Sequence, residues 1–540
     1  MKDVAALFLQ RVQSGLARAS LSKCSGWAEM YRVMPSGPWR FDRYPWLREM
    51  MDSEATHCVG QKSAQMGYTE CVLNKTFHTI DIKGLDCLYV LPARTPDASD
   101  FSASRFDAAL ELSPHLSKLF SDVKNVGHKR AGSANLYVRG SRSRAGLKSI
   151  PASFIVFDEM DEMDQENIPL ALERASGQLL KQIWQISTPT VEDVGINVPF
   201  KKSTMEHFMF RCPSCSKLID LTFPESVVIC EDKPKESHLK CKYCQAKLTH
   251  ETKVDWLKDG KWVPTRTDTD VRGFYVNQLY STTVTPEELT ASVLRAAYSA
   301  ADEQELYNSK LGLPHSPKGS IITEDQVIAC KGGHTQLERA PNYGIVCMGV
   351  DVGKLLHVEI SAYIYPQVYN SSLDMNTQCD CKVIKICTVK EFEELDYLMK
   401  QFGVQMCVID IHPERRKAYE FACRNYGRVF MCYYPEGLAG KQLSKNDNEL
   451  SVGVDRTSWL DSSLGRFQLK TIQLPLDTPI DYIIQVRSQR RILKKDVNGN
   501  PIARYVTGDG VADHYGHARN YCEIALPLAT ENAQARSVQL

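Results

Sequence analysis

Three groups of residues in this chain have the types and spacing that phosphate chemistry requires. The first is Lys62-Ser63-Ala64-Gln65-Met66-Gly67-Tyr68-Thr69. A phosphate loop of the form G-x-x-x-x-G-K-[ST] holds β- and γ-phosphates with backbone N–H groups and one lysine. With Gly67 placed on the second glycine, Thr69 takes the hydroxyl position suited to Mg2+. Tyr68 then stands where lysine is usual, and Lys62 replaces the first glycine. The lysine has moved to the other end of the loop, from which its long stem still reaches a phosphate. The second group is the apolar run 153–157, which stops at Asp158-Glu159. An aspartate there suits Mg2+, and the following glutamate can polarise the water that attacks a γ-phosphate. Acids capping a helix start are the plainer reading of DEMDEMD, but the displaced loop upstream favours chemistry. Further on, IWQISTPT (183–190) is a strand ending in hydroxyls, and Thr188 is placed to sense the γ-phosphate.

The third group is spread over GVDVG, VIDIH and VADHYGHA, which hold Asp351, Asp410 and Asp513. Phosphodiester hydrolysis by two metals needs carboxylates that hold two divalent ions about 4 Å apart. Asp351 lies in an apolar strand, where an unpaired carboxylate is costly unless a metal or donor compensates. Asp410 ends another apolar strand. Asp513 opens a helix that sets it on one face with His517. Strand, strand and helix with one acid each is a ribonuclease-H-like arrangement, although each acid alone reads equally well as a cap or turn residue. Lys354 and His514 are second candidates, for orienting phosphate or water. Asp455 is expected to pair with a neighbouring base such as Arg456, and Asp461, Asp477 and Asp481 read as surface or turn acids.

Cys212-Pro-Ser-Cys215 and Cys241-Lys-Tyr-Cys244 are two C-x2-C knuckles. Each points two thiolates at one centre, and the pair completes a tetrahedral structural Zn2+ site with no open position for catalysis. Redox pairs are the weaker reading, since such motifs rarely come doubled. Cys230 and His238 lie between the knuckles as spare ligands. Most of the other cysteines, of 18 in all, stand singly in apolar runs, as reduced buried thiols do.

At 540 residues the chain has room for about three domains. With 43% hydrophobic and 24% charged residues it has the composition of a globular protein. No apolar run approaches the ~18 residues of a membrane span, and no signal-peptide core is evident, so no membrane partner is expected. Net charge is zero. Basic charge is local, in 128–148 and 486–495, and either run reads as a phosphate-tracking surface or as a solvated face. Apolar strands alternating with helical segments predict a parallel α/β sheet. The expected organisation is a helical, aromatic-rich segment (1–58), a P-loop ATPase core (59–204) and a zinc-ribbon insert (205–250). A remainder with an exposed linker at 315–326 (251–340), a ribonuclease-H-like α/β nuclease domain (341–527) and a disordered polar tail (528–540) follow.

Lys62-Ser-Ala-Gln-Met-Gly67-Tyr-Thr69-Glu, the DE-ended strand and Ser187-Thr188-Pro189-Thr190 resemble the large terminase subunit of tailed bacteriophages, of the lambda type. The upstream WAEMYRVMPSGPWRFDRYPWLREMM is similar to that family's adenine-contacting segment, and Val454–Thr457 to its VDRT segment. The resemblance covers residues 27–525; Tyr68 departs from the family's common lysine. It implies an ATPase that drives double-stranded DNA into a procapsid and a Mg2+- or Mn2+-dependent endonuclease that cuts concatemers. It also implies a small terminase subunit and a portal protein as partners, a homo-oligomeric ring, and action in the host cytoplasm without retention in the virion. A ring makes a trans-acting arginine plausible, with Arg142 and Arg144 in the loop GSRSRAG as candidates. A cellular helicase–nuclease, or a DNA-binding scaffold with an inactive ATPase, is the alternative.

Overall fold

The computed structural model describes residues 20–538, apart from 122, 149, 317–320, 366–374, 436, 439, 496–500 and 509–510. Two compact units divide it, Met1–Pro317 and Lys318–Leu540. The first 19 residues of the expected N-terminal segment lie outside the described residues.

In the first unit, strands Glu206–Arg211, Arg272–Val276, His57–Lys62, Gln182–Ser187, Phe154–Asp158, Cys87–Leu91 and Ala134–Gly140 lie side by side in that order. All of these neighbours pair in parallel. Cys87–Leu91 and Phe154–Asp158 are buried along their whole length, which is why they read as unbroken apolar runs rather than alternating ones. The loop after His57–Lys62 and the acids ending Phe154–Asp158 therefore emerge at the same, C-terminal edge of the sheet, with Gln182–Ser187 between them. Ligands of open α/β sheets bind at that edge.

Ahead of the sheet, helices Cys24–Tyr31 and Trp46–Asp52 flank a short ribbon of Val33–Met34 on Gly37–Pro38. The cysteine-bearing segment is smaller than its sequence bounds. Strand Glu206–Arg211, assigned to the insert, belongs to the ATPase sheet, because Phe208 and Phe210 bury their rings in its core. Beyond it lies a three-stranded antiparallel sheet of Val227–Val228, His238–Lys240 and Lys247–Leu248, whose last turn carries Cys241–Cys244, while Cys212–Cys215 turns between Glu206–Arg211 and Leu218–Ile219. In the expected linker, His315 stacks on Tyr307 and Ile322 is buried in the second unit, so only part of it is exposed.

The second unit's sheet runs Leu443–Asn446, Ser451–Val454, Val429–Tyr433, Met406–Asp410, Ile345–Val352, Leu356–Ile364, Asp380–Val389 and Ile472–Gln473. Ile345–Val352 is its centre, antiparallel to Leu356–Ile364 and parallel to Met406–Asp410. Helix His514–Val538 lies across this centre. Its approach is set by Gly349, where a Cβ would sit 2.0 Å from the Ala518 carbonyl oxygen and 2.3 Å from the Cys522 nitrogen. Both are backbone atoms that cannot move aside, so only glycine lets the helix rest on the strand. That helix also overturns the expected disordered tail. It continues to Val538, with Leu528 and Ala529 buried against the core; residues 539–540 lie outside the described residues.

Candidate functional site

Lys62 ends its strand nearly buried, and its ammonium meets Glu159 at 2.8 Å. Burial alone would lower this ammonium, but the carboxylates of Glu159, Asp158 and Asp161 hold it above its ordinary value. The loop that follows is fixed from four sides. Ser63 N–H donates to the Val276 carbonyl (3.3 Å) and Ala64 N–H to that of Ser309 (2.8 Å), while the Ala64 carbonyl accepts from Gln278 Nε2 and the Met66 carbonyl from Trp46 Nε1. Gly67 has φ +82°, and a Cβ there would press on Leu47. Helix Tyr68–His78 begins at once, so its free N–H groups and positive end face the loop's cavity.

That cavity, of about 880 Å3, is lined by Lys62, Ala64–Thr69, Glu159 and Thr188, with Trp39, Arg40, Arg43 and Tyr44 of the aromatic segment and Arg105 as its further wall. Two loop residues differ from expectation. Ser63 is wholly buried and turned away, since its N–H and hydroxyl are both committed to the Val276 carbonyl. Tyr68 is nearly wholly buried, with its ring beside Gly60 of the preceding strand, a setting that offers a lysine's charge no partner.

Asp158 lies beneath the loop, accepting from Tyr89 Oη at 2.6 Å and Thr69 Oγ1 at 3.4 Å. Burial and then the Glu159 charge push its carboxyl up to about 6, against the pull of Lys62 and the two hydroxyls. The sequence reading missed Tyr89, Asp161 and Arg105. Asp161 is pinned by Thr190 N–H and Oγ1 and by Ile196 N–H, and its own N–H donates to Ser187 Oγ. The acid strand and the Ser187–Thr190 segment thus share one buried carboxylate. The repeated acids of DEMDEMD were the available signal for it. Arg105 touches Glu70 at 3.4 Å, and Glu70 is held from its other side by buried Arg32 at 2.9 Å. Arg142 and Arg144 are exposed around a short helix capped by Ser143, and neither lines this cavity. Of the first basic run, Lys129 is fully buried on Asp107. In the second, Arg487 pairs with Glu324 and Arg491 with Asp461.

In the ribbon, Cys212, Cys215, Cys241 and Cys244 bring their sulfurs within 4.8 Å of one another. The two knuckles repeat one backbone pattern: Ser216 and Gln245 donate to the Cys212 and Cys241 carbonyls at 2.9 Å, each in the left-handed region. Burial raises the Cys241 thiol, but N–H groups of Cys244 and Tyr243 bring it down to about 7. Four converging sulfurs with thiolate-stabilising amides fit Zn2+. Cys230 and His238 are outside this group; His238 Nδ1 meets the Glu236 carbonyl.

In the second unit, Val350 pairs with Ile409, which sets Asp351 and Asp410 side by side at the ends of adjacent strands. Desolvation raises the Asp410 carboxyl, and the Asp351 charge adds to it, while His412 N–H and the Tyr521 hydroxyl oppose. From the helix start, His514 Nδ1 meets Asp351 Oδ2 at 2.8 Å, and His517 Nε2 meets Asp513 Oδ2 at 3.3 Å. Asp513 also accepts from Thr507 Oγ1 (2.7 Å) and Gln489 Nε2 (3.2 Å). Burial favours its neutral form, but His517 and Thr507 hold its carboxyl well below the usual range. His357, missed in the sequence, is the cross-strand partner of Asp351 and stacks on His514. Lys354 is exposed in the turn between these strands. Asp455 does not pair with Arg456: it caps helix Arg456–Leu469 by accepting from Ser458 N–H at 2.8 Å. Arg456 instead reaches the Tyr505 carbonyl and His517.

Residues 34–262 match the family of phage terminase large subunit gpA, ATPase domain. Among solved structures, the chain is similar to the HK97 bacteriophage large terminase, at 10% identity with 94% of this chain and 99% of that one covered and a TM-score of 0.54. The large terminase of a thermophilic bacteriophage gives 11% identity, 90% and 98% coverage and a TM-score of 0.30. The ATPase domain of the Thermus phage P74-26 large terminase gives 12%, 52% and 98%, and 0.32. No curated protein matches. The HK97 likeness is one of fold and carries that argument by itself. Residues 34–262 thus match a terminase large-subunit ATPase domain, within a chain whose fold is like that of the HK97 large terminase.

Proposed function

We propose that this subunit is a genome-packaging motor, hydrolysing ATP to translocate double-stranded DNA into a procapsid and cutting concatemeric DNA with a two-metal endonuclease. The observation that carries the motor reading is the single cavity shared by the loop 62–69, the acid Glu159 and the aromatic segment, with four cations (Lys62, Arg40, Arg43, Arg105) on its walls. A nucleoside triphosphate fits this lining: Trp39 and Tyr44 for a base, cations and helix N–H groups for phosphates. Lys62 exchanges Glu159 for a phosphate oxygen, and Glu159, once released, orients the attacking water. Thr69 and Asp158 would hold Mg2+, which when bound neutralises charge on the β- and γ-phosphates. Asp161 ties the displacement of the acid strand to Thr188–Thr190.

For cutting, Asp351, Asp410 and Asp513 would hold Mg2+ or Mn2+, ions that when bound polarise a phosphodiester and its attacking water. Adjacent strand ends and one helix start supply three buried or half-buried acids that protein cations only partly neutralise, which supports this reading. The four cysteines would hold a structural Zn2+. The small terminase subunit, the portal protein, a ring assembly and a host-cytoplasmic setting belong to the same proposal, as does a trans role for the exposed Arg142 or Arg144. No described helix is long and apolar enough to cross a membrane.

ATP turnover measured with and without double-stranded DNA tests the motor. Wild type should be stimulated by DNA; Lys62→Ala should lose turnover, and Glu159→Gln should bind nucleotide yet fall by roughly 10²-fold or more in rate. Near-normal turnover by the Lys62 variant sinks the displaced-lysine mechanism.

A further inference from the structure

Helix Arg456–Leu469 opens on a residue of the wrong charge. A cation in the first turn faces the positive end of a helix, where an acid is favoured. Asp455 spends its carboxylate on the Ser458 N–H and does not pair with Arg456. We propose that Arg456 is a phosphate-binding residue of the second unit's acid centre, and that its guanidinium holds a phosphodiester of the DNA duplex addressed by Asp351, Asp410 and Asp513. The proposal rests on the endonuclease reading for what is done to that phosphate, but not for its binding.

Three observations converge on Arg456. The first is place. Strand Ser451–Val454 runs parallel to Val429–Tyr433, which runs parallel to Met406–Asp410, so residues just past Val454 emerge at the edge where Asp410 ends its strand. Contact with His517 then brings the guanidinium near Asp513. The second is unused donor capacity. A guanidinium carries several N–H donors in a fixed fork. Arg456 places one on the Tyr505 carbonyl at 3.3 Å and turns another to His517 Nε2 at 3.5 Å. That ring nitrogen also lies 3.3 Å from Asp513 Oδ2, and it cannot both donate to a carboxylate and accept from a guanidinium. With His517 donating to Asp513, Arg456 keeps one long hydrogen bond to the described residues. The third is charge. Among the described residues no carboxylate forms an ion pair with Arg456, whereas Arg466, Arg487, Arg491 and Arg519 of the same unit each have one.

The chemistry of the group then sets its ligand. Three acids do not by themselves attract an anion, and a planar guanidinium matches two phosphate oxygens at once, as a lysine's point charge does not. Arg456 is half-buried, so its pull on an anion is less screened than that of the exposed Lys354. A plainer role is open to Arg456, that of fastening strand Pro501–Thr507 to the last helix through Tyr505 and His517. Such a role adds nothing to the salt dependence of DNA binding.

Binding of a short DNA duplex to the zinc-loaded full chain, in Ca2+ without nucleotide and over a series of salt concentrations, separates the two. Arg456→Gln should weaken binding about five- to tenfold and flatten the slope of log affinity against log salt by about one. Arg456→Lys keeps the charge but loses the paired N–H groups, so it should keep the parent's slope and lose about threefold in affinity. Cleavage of the same duplex in Mn2+ is the second readout. There Arg456→Ala should lose about tenfold or more in kcat/KM, and added guanidinium ion should restore part of it, a gain that a misfolded variant cannot imitate. A Gln variant with the parent's salt slope overturns the proposal, as does, in a parent that cuts, an Ala variant that guanidinium leaves unchanged. Should Arg456 set the slope as described while no metal supports cutting by the parent, the endonuclease reading falls and the phosphate site stands. Cutting by the parent with a Gln variant of unchanged slope has the opposite meaning.

Discussion

Strands Phe154–Asp158 and Met406–Asp410 end alike, in four apolar residues and an aspartate, yet the two carboxylates keep different company. Asp158 is 1% exposed and accepts from two neutral hydroxyls, with the permanent charge of Lys62 and the counter-charge of Glu159 nearby. Asp410 is half-exposed, takes a backbone N–H from His412, and belongs to a group of acids whose basic neighbours include histidines. A strand that ends in an acid therefore sets position only. The groups around it, Thr69 and Tyr89 in one case and His412 N–H, Tyr521 and a neighbouring Asp351 in the other, decide the chemistry. The first site's cation is Lys62, held above its ordinary value by the surrounding carboxylates, whereas the second's includes His514, an imidazole raised by its hydrogen bond to Asp351.

The sharpest way to break this comparison is to remove one acid at a time from the second site. Asp351→Ala, Asp410→Ala and Asp513→Ala should each reduce DNA cleavage to background with ATP hydrolysis largely intact, whereas Asp461→Ala, whose carboxylate serves Arg491 and Tyr505, should still cut. A cutting Asp410 variant beside a dead Asp461 variant would mean that the wrong acid has been placed in the site.

Gly349→Ala should come next in size. Its methyl group meets two backbone atoms of the last helix, and overpacking of this kind typically costs about 1–3 kcal/mol or more. A lower thermal transition for the second unit and weakened cleavage are expected, with ATPase activity retained. A smaller effect should follow from Tyr89→Phe, which deletes one hydroxyl from Asp158; at about 1.5 kcal/mol for a bond to a charged group, turnover or Mg2+–nucleotide affinity should fall about tenfold.

Stability against pH sharpens the second unit further. Burial raises the Glu523 carboxyl, but Arg466 and Arg519 bring it from an ordinary 4.5 down to about 2. Its folded value lies below its unfolded one, so its contribution is complete above about pH 4.5 and is lost as pH falls toward 2. Acid unfolding followed by circular dichroism should steepen in that window, and Glu523→Gln should flatten it. An unchanged acid limb in that variant would remove the ion cluster from the account of stability.

Much of this was legible in the sequence because it depends on local pattern. Apolar runs stopping at Asp158, Asp351 and Asp410 declare parallel strands, and paired C-x2-C knuckles declare a shared sulfur centre. What escaped depends on register and on long-range contact. His357 joins Asp351 only through hairpin pairing, and Tyr89 reaches Asp158 only because their strands are neighbours. Ser63 fits the loop motif by position, but the N–H it would offer a phosphate is taken by Val276 from a distant strand. The knuckle-bearing segment and the tail were misjudged for a related reason. Phe208, Phe210, Leu528 and Ala529 look unremarkable in sequence and are drawn into cores that only the folded sheets create.

The ion pair of Lys62 with Glu159 also has a consequence for idling. In the proposed hydrolysis, Glu159 bound to Lys62 is unavailable as a base until a phosphate takes that lysine away. Hydrolysis then has a built-in order of events, and a stray water in a vacant cavity meets a base already occupied. For the proposed motor, that ordering is a safeguard against empty cycles, supplied by two side chains 2.8 Å apart.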